Sequence, residues 1–318
     1  MEDETSFSFD EIRDSAAISM GLPSYVTASD GIKLAYHSVP ADQPAALLIF
    51  VHGGGAYSGS GYQYPAKGLS EKYNVSVYLP DLRGHGNSEG PRGDAPSSSQ
   101  VLKDLDLFVE TIQKQNADLP LYLGGHSSGG GLILNYLTNF SDTNIAGYIF
   151  LSPHFGYKSK TERKTKKPFT KVKTGLFIIN GMSQGKKHGN TPAVFFNYPE
   201  NVLKETPLLV TSITVNMALA VTPDDPRSQF GNIGKPFGLF IGEDDELFIP
   251  EKVLSYGELP GENVKNASRC QIIKNAKHLS ILTIADQIIG NFILETNEPP
   301  RSRARSKRGP RSDACRYL

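Results

Sequence analysis

Leu119-Pro120-Leu121-Tyr122-Leu123-Gly124-Gly125-His126-Ser127-Ser128-Gly129-Gly130-Gly131-Leu132-Ile133-Leu134-Asn135-Tyr136-Leu137 carries an apolar run into a helix-like run through the five residues 125–129. That order reads as strand, sharp turn, helix. A serine at the apex of such a turn has a strained backbone, and a bulky side chain two positions away on either side collides with it. Glycine at both flanks removes the collision. Ser127 is thereby presented rather than buried. The turn also aims the Ser128 backbone N–H at the space above the hydroxyl, at the start of a helix, where a developing oxyanion can be held. G-x-S-x-G also arises by chance in glycine- and serine-rich loops. The flanking strand and helix are what favour a nucleophile.

Outward from this turn, the same alternation repeats. Residues 45–51 are continuously apolar and bounded by turn signals, the pattern of a strand covered on both faces, and His52-Gly53-Gly54-Gly55 follows them directly. Before them, residues 25–27 and 33–37 flank Asp30-Gly31, a pair suited to a tight β-hairpin. After them come a helix within 61–73, a strand over 75–79, and a helix whose face is Val101, Leu105, Phe108, Val109 and Ile112, with Ser98 or Ser99 as its cap. Strands are expected again at 145–151, 237–241 and 271–273, with helices at 250–256 and 279–294. The pattern predicts an α/β fold with a mostly parallel central sheet flanked by helices and with chemistry at the carboxyl ends of the strands. Between 156 and 234 the alternation is lost, so an insertion over the core is expected there. The chain divides into a flexible N-terminus (1–20), a first core part (21–155), a cap insertion (156–234), a second core part (235–297) and a disordered basic tail (298–318).

Across 318 residues, 33 Lys and Arg balance 33 Asp and Glu, so no global field draws the chain to nucleic acid or holds it on a membrane. Charge is uneven locally: residues 158–173 hold eight basic residues against the lone Glu162, a run that offers weak peripheral contact with an anionic lipid surface. Two cysteines, Cys270 and Cys315, are too few for a disulfide framework. With no secretory pattern and no apolar run of membrane-spanning length, a soluble cytoplasmic protein is expected. No Cys/His spacing suits a metal and no glycine fingerprint suits a dinucleotide or phosphate, so neither metal nor cofactor is expected.

A serine hydroxyl at neutral pH needs a histidine to take its proton and a carboxylate to orient that histidine. Of seven histidines, His278 alone stands between the last strand and the terminal helix, with His154 as the alternative. For the carboxylate, Glu243-Asp244-Asp245-Glu246 follows a strand directly; Asp245, three residues after Gly242, is favoured over Asp244. The order Ser127, Asp245, His278 is that of the α/β-hydrolases. A second oxyanion donor is expected from the Gly54 N–H, beside that of Ser128. Phe195, Phe196, Leu208, Leu209, Met217 and Leu219 are candidates to wall a substrate site, although such spacing is as often that of a core.

Together, His52-Gly53-Gly54, Asp81 through Ser88, residues 125–129, Gly242 through Asp245 and Lys277-His278 resemble the monoacylglycerol lipase and lysophospholipase group of α/β-hydrolases. The resemblance covers residues 25–155 and 235–295. It implies a serine esterase with a cap, acting on a monoacylglycerol, a lysophospholipid or another small ester through an acyl-enzyme. The chain departs from the group in the lysine-rich start of its cap and in Ser128, where methionine is common. A binding protein of this fold with slow turnover and a serine peptidase acting on an N-terminal proline are the alternatives. For Asp81 through Ser88 a structural role is expected, with Arg83 tying neighbouring loops together.

Overall fold

The computed structural model describes residue 9, residues 18–140 and 144–297, and the backbone of residues 315–317. Most of the expected N-terminal and C-terminal tails therefore lies outside the described residues.

The chain forms β1 (Ser24–Thr27), β2 (Lys33–Val39), β3 (Ala46–Val51), α1 (Gln63–Tyr73), β4 (Val75–Pro80), α2 (Ser98–Gln115), β5 (Leu121–His126), α3 (Ser128–Asn139) and β6 (Ile145–Leu151). A second group follows: β7 (Thr170–Val172), α4 (Thr174–Met182), β8 (Pro192–Phe196), α5 (Glu200–Glu205), β9 (Ser212–Thr214), α6 (Val215–Val221) and α7 (Pro226–Gly231). The sheet then resumes with β10 (Phe237–Gly242), α8 (Pro250–Leu254), α9 (Glu262–Ala267), β11 (Arg269–Ile273), α10 (Ala285–Asn297) and β12 (Cys315–Tyr317).

The main sheet runs β1-β2-β4-β3-β5-β6-β10-β11-β12. Only the β1/β2 and β2/β4 pairs are antiparallel; every pair from β4 to β12 is parallel. All six residues of β3 and all six of β5 are buried, as strands with helices on both faces require. One core cluster joins the sheet to α2 and α3, the other joins it to α1 and α10. Helix α2 buries Val101, Leu105, Phe108, Val109 and Ile112, the face that the spacing predicts.

Three local expectations are corrected. The cap of α2 is Ser97, whose hydroxyl accepts the Gln100 N–H at 3.1 Å, one residue before the expected serines. The expected helix over 279–294 is a tight 3₁₀ stretch over Ser280–Ile284 followed by α10. Within the stretch expected to be disordered, Cys315–Tyr317 adds a short parallel strand beside β11, because that strand's outer edge has unpaired backbone groups to offer. Helix α9 is not legible at all in the sequence, since its six residues ENVKNA bury none of their side chains.

Residues 156–234 hold the separate antiparallel sheet β7-β8-β9. This sheet approaches the loop after β3: the Val210 N–H donates to the Gly55 carbonyl at 2.8 Å, and the Tyr198 hydroxyl donates to the Gly54 carbonyl at 3.2 Å.

Candidate active site

Strand β5 ends at His126 and α3 starts at Ser128, leaving Ser127 between them with φ 54° and ψ −123°. A non-glycine residue in that region carries about 1–3 kcal/mol of strain, held here by the surrounding packing. The Ser127 carbonyl accepts N–H groups from Gly130 (3.0 Å) and His154 (2.9 Å), and its own N–H donates to Leu151 at 3.0 Å. A Cβ on Gly129 would lie 2.5 Å from the Val51 carbonyl oxygen, and one on Gly125 would lie 2.6 Å from the Gly129 oxygen. No side chain fits at either flank, which is the reason the motif has glycine there. Among the described residues, the Ser127 hydroxyl has no hydrogen-bond partner.

Asp245 and His278 meet directly. The His278 ring is joined through Nδ1 to Asp245 Oδ2 at 2.9 Å, with both side chains almost fully buried. The other carboxylate oxygen accepts the N–H groups of Leu247 (2.9 Å) and Phe248 (2.8 Å). Burial pushes the Asp245 carboxyl up, but His278 and these two N–H groups outweigh it and leave it below its ordinary value. The Phe248 ring packs edge-on against His278, with centroids 5.3 Å apart.

Two neighbours of this pair leave no signal in the sequence. Glu246, one residue beyond Asp245, accepts the His278 backbone N–H at 2.8 Å, and burial raises its carboxyl above the usual value. His126 has its backbone tied up in the turn, yet its side chain joins two loops. The Gly53 N–H donates to the Tyr62 hydroxyl oxygen (2.7 Å), that hydroxyl lies 3.0 Å from His126 Nδ1, and His126 Nε2 lies 2.9 Å from the His278 carbonyl. The tautomer that satisfies every group has the tyrosine donating to Nδ1 and the Nε2–H donating to the carbonyl. Only proximity in three dimensions reveals this chain, because its members are 9, 64 and 152 residues apart.

The loop after β3 places Gly54 against the turn that carries Ser127 and Ser128. A Cβ there would come within 3.0 Å of both the Ser128 hydroxyl and the Phe196 ring. Among the described residues the Gly54 N–H has no hydrogen-bond partner, whereas that of Gly53 is used by Tyr62. Of the wall candidates, Phe196 lies over Gly54 and packs with Phe169 and Tyr198. Its neighbour Phe195 carries the Lys173 ammonium 4.7 Å above its ring. Met217 is part of the main core, Leu219 is half-buried on α6, and the Leu208 carbonyl accepts from Arg92. His154, the alternative base, pairs instead with Glu162 at 3.0 Å.

Behind the site, Asp81 accepts N–H groups from Ser58 and Asn87 (2.7 and 2.8 Å), and Arg83 is bidentate to Asp104 of α2 and also bound to Asp30 of the β1–β2 turn, tying its own loop to a helix and a second loop. The buried rings of His52 and His85 lie 5.3 Å apart. Burial lowers His52 to about 4, and burial followed by the neighbouring His52 lowers His85 to about 3; His126 falls to about 3, by burial and then by His278. Their folded values lie below the unfolded value of about 6.5, so below that pH the unfolded chain binds protons that the folded chain refuses. These three groups therefore add no pH dependence well above pH 6.5 and cost stability as the pH drops toward 4. The three together cost about 4 kcal/mol per pH unit once the pH is well below 6.5. The depressed Asp245 adds to the loss only in stronger acid, while the raised Glu246 opposes it. The urea midpoint is expected to drop sharply between pH 7.5 and pH 5. A midpoint unchanged over that interval contradicts the assignment of these rings as buried and neutral.

A profile of the family described as serine aminopeptidase, S33, matches residues 42–281. An uncharacterized abhydrolase domain-containing protein of Dictyostelium discoideum is 39% identical over 114 residues, covering 36% of this chain and 12% of that protein. The monoglyceride lipase of Rattus norvegicus is 32% identical over 132 residues, covering 42% of this chain and 43% of the lipase. The chain thus matches less than half the length of either curated relative. Among solved structures, a soluble variant of the Saccharomyces cerevisiae monoglyceride lipase, in complex with a substrate analog, superposes with a TM-score of 0.67 at 17% identity, covering 89% of this chain and 97% of that one. The likeness establishes the α/β-hydrolase fold.

Proposed function

The chain belongs to the serine aminopeptidase S33 family of α/β-hydrolases, and from that premise we propose that it is a serine hydrolase of small carboxylic esters, with monoacylglycerol-type lipids as its substrate class. The observation that carries the reading is the buried Asp245–His278 hydrogen bond, formed at the edge where Ser127 sits in its strained turn. Ser127 attacks the ester carbonyl, His278 takes its proton through Nε2, and Asp245 holds the imidazole and its cation. The N–H groups of Gly54 and Ser128 receive the oxyanion, and water then releases the acid from Ser127. Serine–histidine contacts of this kind tighten when substrate is bound.

Residues 156–234 act as the cap, with Phe196 forming the wall nearest the oxyanion donors. Support for a lipid substrate comes from α4, which exposes Ile178, Ile179 and Met182 on the same segment as the exposed Lys164, Lys166 and Lys171. An apolar face beside lysines suits weak contact with an anionic lipid surface. The peptidase reading needs a carboxylate for a substrate ammonium. Asp245, Glu246 and Glu162 are each engaged already, with His278, its N–H and His154.

The test is fatty-acid release from a long-chain monoacylglycerol in vesicles, beside a short p-nitrophenyl ester and a prolyl amide in solution. Turnover of both esters is expected, with the monoacylglycerol hydrolysed faster in anionic than in neutral vesicles and the amide spared. Turnover of the amide alone rejects the esterase reading; stoichiometric acylation without turnover points to a binding protein. Equal rates in the two vesicle types dispose of the anionic-surface contact.

A further inference from the structure

Residues 161–163 open the cap segment, yet they are laid along the loop that carries Asp245. The Ile249 N–H donates to the Thr161 carbonyl and the Arg163 N–H to the Leu247 carbonyl, each at 2.8 Å, and Glu162 and Phe248 form an antiparallel bridge. The Arg163 side chain turns back along this short ladder. Its Nε–H is shared between the carbonyls of Asp245, at 2.7 Å, and Phe248, at 3.0 Å. The Glu162 carboxylate meets the His154 ring, which stacks on Phe248 with centroids 5.7 Å apart and planes 22° apart. Phe248 in turn packs on His278.

From these contacts we propose that Arg163 is a positioning residue, which fixes the aim of Asp245 and Phe248 on His278 and couples the cap segment to that alignment. The inference rests on the Ser127–Asp245–His278 reading above. The Asp245 carboxylate is clamped by the N–H groups of Leu247 and Phe248, which set its orientation relative to its own loop. Those contacts leave open where the loop as a whole sits. The two carbonyls at its ends, residues 245 and 248, are both held by one guanidinium nitrogen, and one of the two carbonyls between them, on Leu247, is held by the backbone of the same residue. A shift of the cap's first strand-like residues therefore moves the carboxylate against an imidazole whose backbone carbonyl is fixed from outside that loop, by His126. A basic residue in a run read as a lipid contact thus has its donor pointed inward. Arg163 remains exposed as a residue, so its replacement leaves no large hole.

The experiment compares the full-length wild type, Arg163→Ala and Arg163→Lys. It measures the labelling rate with a fluorophosphonate probe, kcat and KM for a soluble p-nitrophenyl ester, and thermal midpoints. Arg163→Ala is expected to slow labelling and lower kcat about tenfold with KM within about twofold, as for a group that acts only on the reacting alignment. Arg163→Lys, which keeps a donor of shorter reach, is expected to recover at least half of the lost rate on a logarithmic scale. Wild-type labelling and kcat in Arg163→Ala overturn the inference. So does a loss that lysine fails to restore and that follows the thermal midpoint, because that is the behaviour of a staple rather than an aligner. A wild type that fails to label rejects the catalytic reading itself, and the inference with it, so the two failures are told apart.

Discussion

Ser127→Ala is expected to lower kcat/KM for p-nitrophenyl esters at least about 10³-fold and to abolish fluorophosphonate labelling. Activity left above the uncatalysed rate would come from the Gly54 and Ser128 N–H groups and from binding alone. The fold should be unmoved. Ser127 is held by its backbone, through Leu151, Gly130 and His154, and its hydroxyl has no partner among the described residues to lose. Alanine keeps the strained φ of 54°, whereas Ser127→Gly relieves it and should raise stability by about 1 kcal/mol while remaining inactive. A melting series of the three proteins checks the strain, and labelling checks the nucleophile. Equal labelling of wild type and Ser127→Ala would place the reactive group elsewhere.

Asp245→Asn is expected to cost about 10²–10⁴-fold in kcat, although the two side chains have nearly the same shape. The reason lies in which oxygen is already engaged. Oδ1 accepts two backbone N–H groups, from Leu247 and Phe248, so the amide of an asparagine must keep its oxygen there. Its NH₂ is then forced into the Oδ2 position, 2.9 Å from His278 Nδ1, where a donor faces a ring nitrogen that must itself donate. The imidazole answers by carrying its proton on Nε2, the tautomer that has no lone pair for the serine proton. Ester turnover by Asp245→Asn within about threefold of wild type would remove Asp245 from the mechanism. Asp244→Asn serves as the control, since the carboxylate that meets His278 belongs to Asp245.

What can be read in the chain follows from how local each determinant is. The turn that carries Ser127, the loop after β3 and the parallel strands are written in short runs of three to seven consecutive residues, and the structure has its strands within a few residues of those runs. The preference for Asp245 over Asp244 rests on its spacing from Gly242. In the structure the Asp245 N–H turns back on the Gly242 carbonyl, and it is the Asp245 side chain that meets His278. His126, Glu246 and Arg163 are beyond reach for one shared reason. Each works through a backbone group distant in sequence, and backbone partners leave no trace in residue identity. Helix α9 is missed because a short surface helix with no buried side chain has no apolar period to detect. The aromatic wall is only half legible. Alternation along β8 separates Phe195 from Phe196, but which of them meets Gly54 depends on how the small sheet is placed.

The link from Gly53 through Tyr62 and His126 to His278 ends in a peptide group on either side. A peptide N–H is far too weak an acid, and a peptide carbonyl far too weak a base, to exchange protons near neutrality, so the link is an insulator rather than a conduit. Under the proposed mechanism, a proton taken up by the His278 ring would have no exit along this link. What the link can transmit is displacement. Under the proposed mechanism, a substrate group pushing the glycine loop would be felt, through three unbroken contacts, at the main chain of His278.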